Sequence, residues 1–292
     1  MKRLLVFAAA VLLAAGCVRN SVDKTNDCYE YIDDYGSHVM VPQNPKRIVS
    51  LSPAVTEIMF ALNAEELLVG RTEFCLYPPE ASKIENIGGI SNLNIEKVLS
   101  CKPDLIISGS MVPQKIVKQF EEMGVPLVCV IEKSDFIELY SNIKKIGTLV
   151  GKIAKADSIN EALANDLGNM GLEWDEQKQK PSCYYVVGFG SGGNFTAGGN
   201  TFINDIILMS GGRNIAEESE GWTFSVEALM DADPDFILIR AEDSARFCKK
   251  MPYANLTAVK KGNIIALHDG ILDLQVPRNI EAIRIIHKRI TE

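Results

Sequence analysis

The chain has 292 residues, 47% hydrophobic and 23% charged, and its 38 acidic against 30 basic side chains give a net charge of −8. That length and polarity fit one large or two medium globular domains, with no low-complexity stretch. The acidity argues against nucleic acid and against a polybasic membrane patch as partners.

"MKRLLVFAAAVLLAAGC" opens the chain, with Lys2 and Arg3 before an apolar stretch, Leu4 to Ala15, too short to span a bilayer well. "LAAGC" matches the lipobox of bacterial lipoproteins, in which the cysteine, here Cys17, is acylated and becomes the mature N-terminus. Residues 1–16 therefore read as a lipoprotein signal peptide and 17–27 as a flexible tether. Cleavage removes two positive charges and moves the net charge from −8 to about −10. The expectation is an exported bacterial lipoprotein on the periplasmic or cell-surface face of a membrane, held there by its lipid alone. Cys28, Cys75, Cys101, Cys129, Cys183 and Cys248 form no CxxC pair, which argues against a zinc ribbon or a thioredoxin site. Cys101, Cys129 and Cys183 lie in or beside apolar runs, where reduced cysteine packs as a small hydrophobe.

"CYEYIDDYGSHVMVPQNP" alternates and turns at Asp34-Tyr35-Gly36, which predicts a β-hairpin. "RIVSL" (47–51) reads as a buried strand, and "SPAVTEIMFALNA" as a helix with Ser52 at the N-cap and Pro53 at its first position. Next come a strand at 67–71, the loop "TEFCLYPPEASKIENIGGISN", a helix from Ile95 and a strand at 104–109. A helix near 113–123 and a strand at 126–131 complete this half. From 135 to 178 apolar residues keep helical spacing, predicting one long connecting helix with Gly151 as the place for a break. Alternation then restarts, with a strand at 182–189, a Gly-rich loop to Asn200, and helices at 201–210 and 225–232. Strands at 235–240 and 263–268 and the closing helix "PRNIEAIRIIHKRI" follow. The expected fold is α/β, two Rossmann-like lobes with mostly parallel sheets joined by the long helix. The lobes, 28–134 and 179–292, read as approximate repeats with a cleft between them.

One phrase occurs twice. "NIEKVLSCKPDLIIS" (94–108) and "SVEALMDADPDFILI" (225–239) each give a capped helix start, a Glu, an apolar turn, Pro-Asp and an apolar strand. Glu96 stands eight residues before Asp104, and Glu227 eight before Asp235, so a pseudo-twofold axis would place the two glutamates symmetrically. With Asn94 and Ser225 as N-caps, each Glu falls in a first helical turn, where the dipole alone favours a carboxylate by about 0.3–1 kcal/mol.

No catalytic constellation can be assembled. GxSxG, HExxH and Walker patterns are absent, and of three histidines, His38 in the hairpin and His287 in the last helix read as surface residues. "GFGSGGNFTAGG" (188–199) lacks the GK[ST] ending and the dinucleotide glycine spacing; its six glycines suit tight turns or close approach to a bulky ligand. No three- or four-ligand metal set appears. His268, at a strand end, is the one candidate for contacting a chelated metal, against an ordinary hydrogen-bonded strand-end role. The expectation is a non-enzyme with no cofactor of its own; the alternative class is an exported enzyme using the cleft.

The loops at strand C-termini carry the candidate ligand contacts: Phe74, Cys75 and Tyr77; Ser110 and Met111; Gly190, Asn194 and Phe195; Arg240; and Gly270, Ile271, Leu272, Asp273 and Leu274. Trp222 precedes the second Glu helix. Aromatic and apolar groups with sparse polar ones suit a large planar ligand between lobes; loop packing is the alternative for each.

"NPKRIVSLSPAVTEIMFALN", "YPPEASKIENIGG" and the two phrases around Glu96 and Glu227 resemble one family: substrate-binding proteins of bacterial ABC importers whose lobes are joined by a rigid helix. These bind cobalamin, ferric siderophores or haem. The resemblance spans nearly all of 28–292, and "SLSPAVTE" with "YPPEA" is most similar to the vitamin B12 binders. It implies a monomer that delivers a corrinoid to a permease dimer with ATPase subunits, with a ferric siderophore or haem as the alternative ligand. It places Phe74 and the Gly270–Leu274 loop at the corrinoid, and Glu96 and Glu227 at the permease. Where the B12 binders are Trp-rich this chain has "IGGISN" and "DGILDLQ", and only Trp222 keeps an indole near the cleft.

Overall fold

The computed structural model describes residues 27–90, 93–110, 112–131, 134–172, 180–268 and 270–292. Residues 1–16, read above as a signal peptide, Cys17 and Met111 lie outside the described residues.

The hairpin β1 (Cys28–Ile32) and β2 (His38–Pro42) pairs Tyr31 with Val39 and turns through Gly36 at φ +76°. The first lobe holds β3 (Ile48–Ser50), β4 (Leu68–Arg71), β5 (Leu105–Ser108) and β6 (Leu127–Cys129), parallel, in the order β4-β3-β5-β6. Around them lie α1 (Pro53–Ala61), α2 (Ile95–Ser100) and α3 (Gln114–Glu122). The second lobe holds β7 (Ser182–Val186), β8 (Arg213–Asn214), β9 (Phe236–Arg240) and β10 (Ile264–Leu267), also parallel, in the order β8-β7-β9-β10. The two orders correspond strand for strand, so the lobes are topological repeats. Every residue of β3, β5, β6 and β7 is buried, which is why these strands read as continuous apolar runs.

The second lobe adds α6 (Phe202–Met209), α7 (Val226–Ala232), α8 (Ala241–Lys249), α9 (Thr257–Lys261) and α10 (Asn279–Thr291). The sequence reading placed nothing between Arg240 and the strand at 263. Helix α8, "AEDSARFCK", buries only Phe247 and so shows a weak apolar stripe. His287, expected at the surface, is buried on α10, and its Nδ1 lies 3.1 Å from the Ser210 carbonyl.

The repeated Pro-Asp has a structural role in both lobes. Asp104, just before β5, accepts from the Lys46 and Arg47 amides at 2.7 and 3.0 Å, where the chain enters β3. Asp235, just before β9, accepts from the amide and hydroxyl of Ser182, the first residue of β7, at 2.8 and 2.6 Å. Each aspartate ties the start of its strand to the start of the central neighbour. Lys102 and Asp233, each preceding the proline, both take positive φ, +49° and +35°.

The connecting segment is divided at Gly151. It forms α4 (Glu138–Leu149) and α5 (Ile153–Leu172), and Gly151 has φ +69°, the left-handed conformation that ends a helix. The two helices run antiparallel. Lys144 meets Asp157 at 3.2 Å, and Asn160 Nδ2 donates to the Tyr140 carbonyl at 2.9 Å. A Cβ on Gly147 would fall 2.6 Å from that of Ala156, so glycine permits the close approach. The single helix expected over 135–178 is therefore two: α5, 20 residues and about 30 Å long, and α4, which folds back on it. Helix α4 packs on α1 and α5 on α10, and one apolar core runs from Ile48 and Val55 through Ile143 and Leu163 to Ile206 and Ile283.

Candidate functional site

A cleft of about 630 Å³ opens between the lobes at the C-terminal ends of the strands. The loop after β4 supplies Phe74, Leu76, Tyr77 and Pro79, and α1 supplies Pro53 and Glu57. The second lobe answers with Arg240 at the end of β9, Glu242, the loop residues Gly270, Asp273 and Leu274, and Arg278. Phe74 and Leu76 are 60% and 73% exposed, an unusual state for large apolar side chains and one suited to stacking on a ligand.

Two ion pairs stand in this wall. Arg278 reaches across the lobes to Glu57, with Nε to Oε2 at 2.6 Å and Nη2 to Oε1 at 3.0 Å. Their side chains are only 12% and 5% exposed. Burial pushes the Glu57 carboxyl above its ordinary range, while the Arg278 guanidinium pulls it down. The same guanidinium lies 4.2 Å from the Tyr77 ring centre, so one second-lobe arginine holds both α1 and the loop after β4. Arg240 pairs with Asp273 at 2.8 Å, within the second lobe. Burial raises the Tyr185 phenol beside that pair, and the Asp273 charge raises it further.

Phe74, Tyr77, Arg240, Gly270, Asp273 and Leu274 thus come together in the cleft. Cys75 does not: it is buried, its sulfur 3.1 Å from Thr56 Oγ1 and 3.2 Å from Thr72 Oγ1. Ile271 and Leu272 turn into the shared core. Ser110 is exposed, its carbonyl accepting from Ser108 Oγ at 2.9 Å, and does not line the cleft. His268 is exposed and also not a lining residue; its carbonyl takes the Ile271 amide. Trp222 lines a smaller recess of about 250 Å³ with Ser134, Asn200, Thr201, Phe202, Gly221 and Gln275. Among the described residues no cluster of three or more His, Cys, Asp or Glu could hold a metal, and no helix is long and apolar enough to cross a membrane.

The Gly-rich loop serves its own lobe. Phe195 bridges back to Gly188 and packs over Gly193, and Asn194 is buried against Tyr184 Oη and the Phe224 carbonyl. A Cβ on Gly199 would sit 2.0 Å from the Glu217 carbonyl oxygen, so these glycines admit neighbouring backbone.

Sequence reading missed Glu57 and Arg278. A signal existed for Glu57: it sits in α1 among Ala54, Val55, Thr56, Ile58 and Met59, all buried. A charge on such a face needs a partner. Nothing local pointed to Arg278, 221 residues away.

Glu96 and Glu227 are exposed in the first turns of α2 and α7, whose N-caps hold as expected. Asn94 Oδ1 accepts from the Lys97 amide and Ser225 Oγ from the Ala228 amide, both at 3.0 Å. Each helix leads directly into the N-terminal end of a parallel strand.

Comparison with known proteins extends this geometry. An uncharacterized ABC transporter substrate-binding lipoprotein of Bacillus subtilis is 29% identical, covering 97% of this chain and 95% of that protein. A cobalamin-binding protein of Halobacterium salinarum is 26% identical over 85% of this chain and 70% of its own length. Among solved structures, a periplasmic heme binding protein from Pseudomonas aeruginosa matches with a TM-score of 0.75 and 27% identity, covering 84% of this chain and 92% of that one. Such relatives are solute-binding proteins rather than enzymes, and so is this chain. Residues 48–270 match the family model described as periplasmic binding protein, and the chain belongs to that family as a substrate-binding protein of an ABC transporter.

Proposed function

We propose that this protein captures a metal chelate of the corrinoid class in the inter-lobe cleft and delivers it to the permease dimer of its importer. The observation that carries the reading is the character of the wall. Aromatic and apolar side chains cover the first-lobe side, and the charged groups number three carboxylates, Glu57, Asp273 and Glu242, against two guanidiniums. A cleft with no surplus of positive charge suits a chelate rimmed with neutral amides better than one bearing carboxylates. The cobalamin-binding relative supports the same choice. A haem reading draws on the heme-binding relative and on one residue: Tyr77 lines the cleft, and tyrosine is among the axial ligands of haem iron. Equilibrium titration with cyanocobalamin, haemin and ferric siderophores, followed by absorbance and calorimetry, separates them. Saturable binding of cyanocobalamin is expected; binding of haemin alone, with a changed haem spectrum, would replace the corrinoid reading.

Glu96 and Glu227 serve as one docking anchor per lobe for basic partners on the permease. Their exposure, and their matching places in the first turns of α2 and α7, support this. The lipid anchor rests on "LAAGC". Replacing Cys17 by Ala should leave the protein unprocessed or soluble, and a variant still partitioning into detergent as a mature lipoprotein would remove the anchor.

A further inference from the structure

The two ion pairs in the cleft wall are built differently. In the Arg278–Glu57 pair each contacting nitrogen has its own oxygen. Arg240 instead places both Nε, at 3.1 Å, and Nη2, at 2.8 Å, on a single oxygen of Asp273, Oδ1. The Tyr185 hydroxyl reaches that same oxygen at 3.4 Å. Among the described residues, Asp273 Oδ2 and Arg240 Nη1 make no hydrogen bond. Both residues line the cleft, with side chains 34% and 36% exposed. The wall thus offers one anionic acceptor and one cationic donor on two paired side chains. Gly270 keeps the acceptor clear: its φ is +59°, and a Cβ there would stand 2.7 Å from Asp273 Oδ2.

We infer that Arg240 and Asp273 form a subsite for a primary carboxamide of the ligand, whose oxygen accepts a hydrogen bond from Arg240 Nη1 and whose NH₂ donates to Asp273 Oδ2. The choice of group follows from charge and valence. A carboxylate would gain the arginine but face Asp273 Oδ2 with like charge and no proton to share. An ammonium would gain the aspartate and face the guanidinium. A neutral amide carries acceptor and donor on the two heteroatoms of one carbon and uses both without adding charge to a balanced pair. The inference rests on the corrinoid reading of the cleft and sharpens it, since a corrinoid rim bears carboxamides where haem bears carboxylates. These two residues would let the protein distinguish an amidated corrinoid from its unamidated acid.

The test uses matched amide and acid ligands in two series, dicyanocobinamide with dicyanocobyrinic acid, and the bis-amide of haemin with haemin. Affinities are measured on the full folded chain, on Asp273→Asn and on Arg240→Gln, with thermal melting to show that the variants fold. In the series that binds, the native protein should prefer the amide by roughly tenfold or more, the scale of one or two mismatched hydrogen bonds to charged groups. Asp273→Asn should collapse that ratio by improving acid binding, and Arg240→Gln should weaken the amide by roughly tenfold. A native preference for the acid, or a ratio unchanged in Asp273→Asn, overturns the subsite. Binding confined to the porphyrin series overturns the corrinoid reading, and the subsite then stands or falls by the amide-to-acid ratio in that series. Binding of neither series overturns both.

Discussion

The two lobes share a strand order, a capped Glu helix and a strand-tying aspartate, yet they give the cleft opposite walls. The loop after β4 in the first lobe contributes Phe74, Leu76, Tyr77 and Pro79 beside a single charge, Glu57, while the second lobe contributes four charged groups, Arg240, Glu242, Asp273 and Arg278, beside Leu274. What repeats is what holds the sheet together and what faces outward at its edge. What differs is the ligand surface, carried on loops whose length and composition the sheet does not constrain. A planar chelate in such a cleft would lie with an apolar face on one lobe and polar substituents on the other.

The contact that joins these unlike walls should be the costliest to break. Arg278→Ala leaves the Glu57 carboxylate buried without its countercharge, a loss of about 3–5 kcal/mol. Burial already holds the Glu57 carboxyl above its ordinary range, and removing Arg278 takes away what opposes that shift. A carboxyl with a raised folded-state pKa costs stability as pH rises through it, so the variant should recover as pH is lowered from neutral. Thermal melting at several pH values checks this; a deficit that is small, or constant with pH, would place the pair outside the structural ledger.

Next in size is the effect on the features the lobes share. Glu96→Ala and Glu227→Ala should each weaken permease binding by about 2–5 kcal/mol while leaving chelate affinity and melting temperature nearly unchanged. If the glutamates serve only the helix dipole, the variants lose a few tenths of a kcal/mol of stability and dock normally. A double variant that docks normally would remove the anchor role from both lobes.

The strand-tying aspartates give a smaller, symmetric comparison. Asp104→Ala and Asp235→Ala should each cost about 1–2 kcal/mol of stability, the scale of hydrogen bonds to a charged group near the surface. Ser182 holds the Asp235 carboxyl below its ordinary value, chiefly through its hydroxyl. That contribution is present above the unfolded carboxyl pKa and fades as pH falls through the lowered folded value, so the Asp235→Ala deficit should shrink in acid. Acid unfolding curves that stay parallel down to low pH would contradict it.

The smallest expected effect is motion. Helices α4 and α5 share a continuous core with both lobes, and the Glu57–Arg278 pair spans the cleft. Ligand should therefore close the lobes little, and solution scattering with and without ligand should nearly superimpose. A clear drop in radius of gyration on ligand binding would show that this core yields.

By itself the sequence determined whatever depends on short-range pattern. Continuous apolar runs marked the parallel strands, Ser52, Asn94 and Ser225 marked helix starts, and the doubled Glu…Pro-Asp phrase disclosed the repeat. Tertiary structure decided how elements face one another. Helix α4 turns back on α5 because Gly147 admits Ala156 and Gly151 takes a left-handed turn, a packing choice that helical periodicity does not encode. In the loop 270–274, Gly270, Asp273 and Leu274 face the cleft while Ile271 and Leu272 enter the core, and Cys75 turns inward between its exposed neighbours Phe74 and Leu76. Irregular backbone has no fixed side-chain period, so which residue points at the ligand is settled only when the surrounding elements pack.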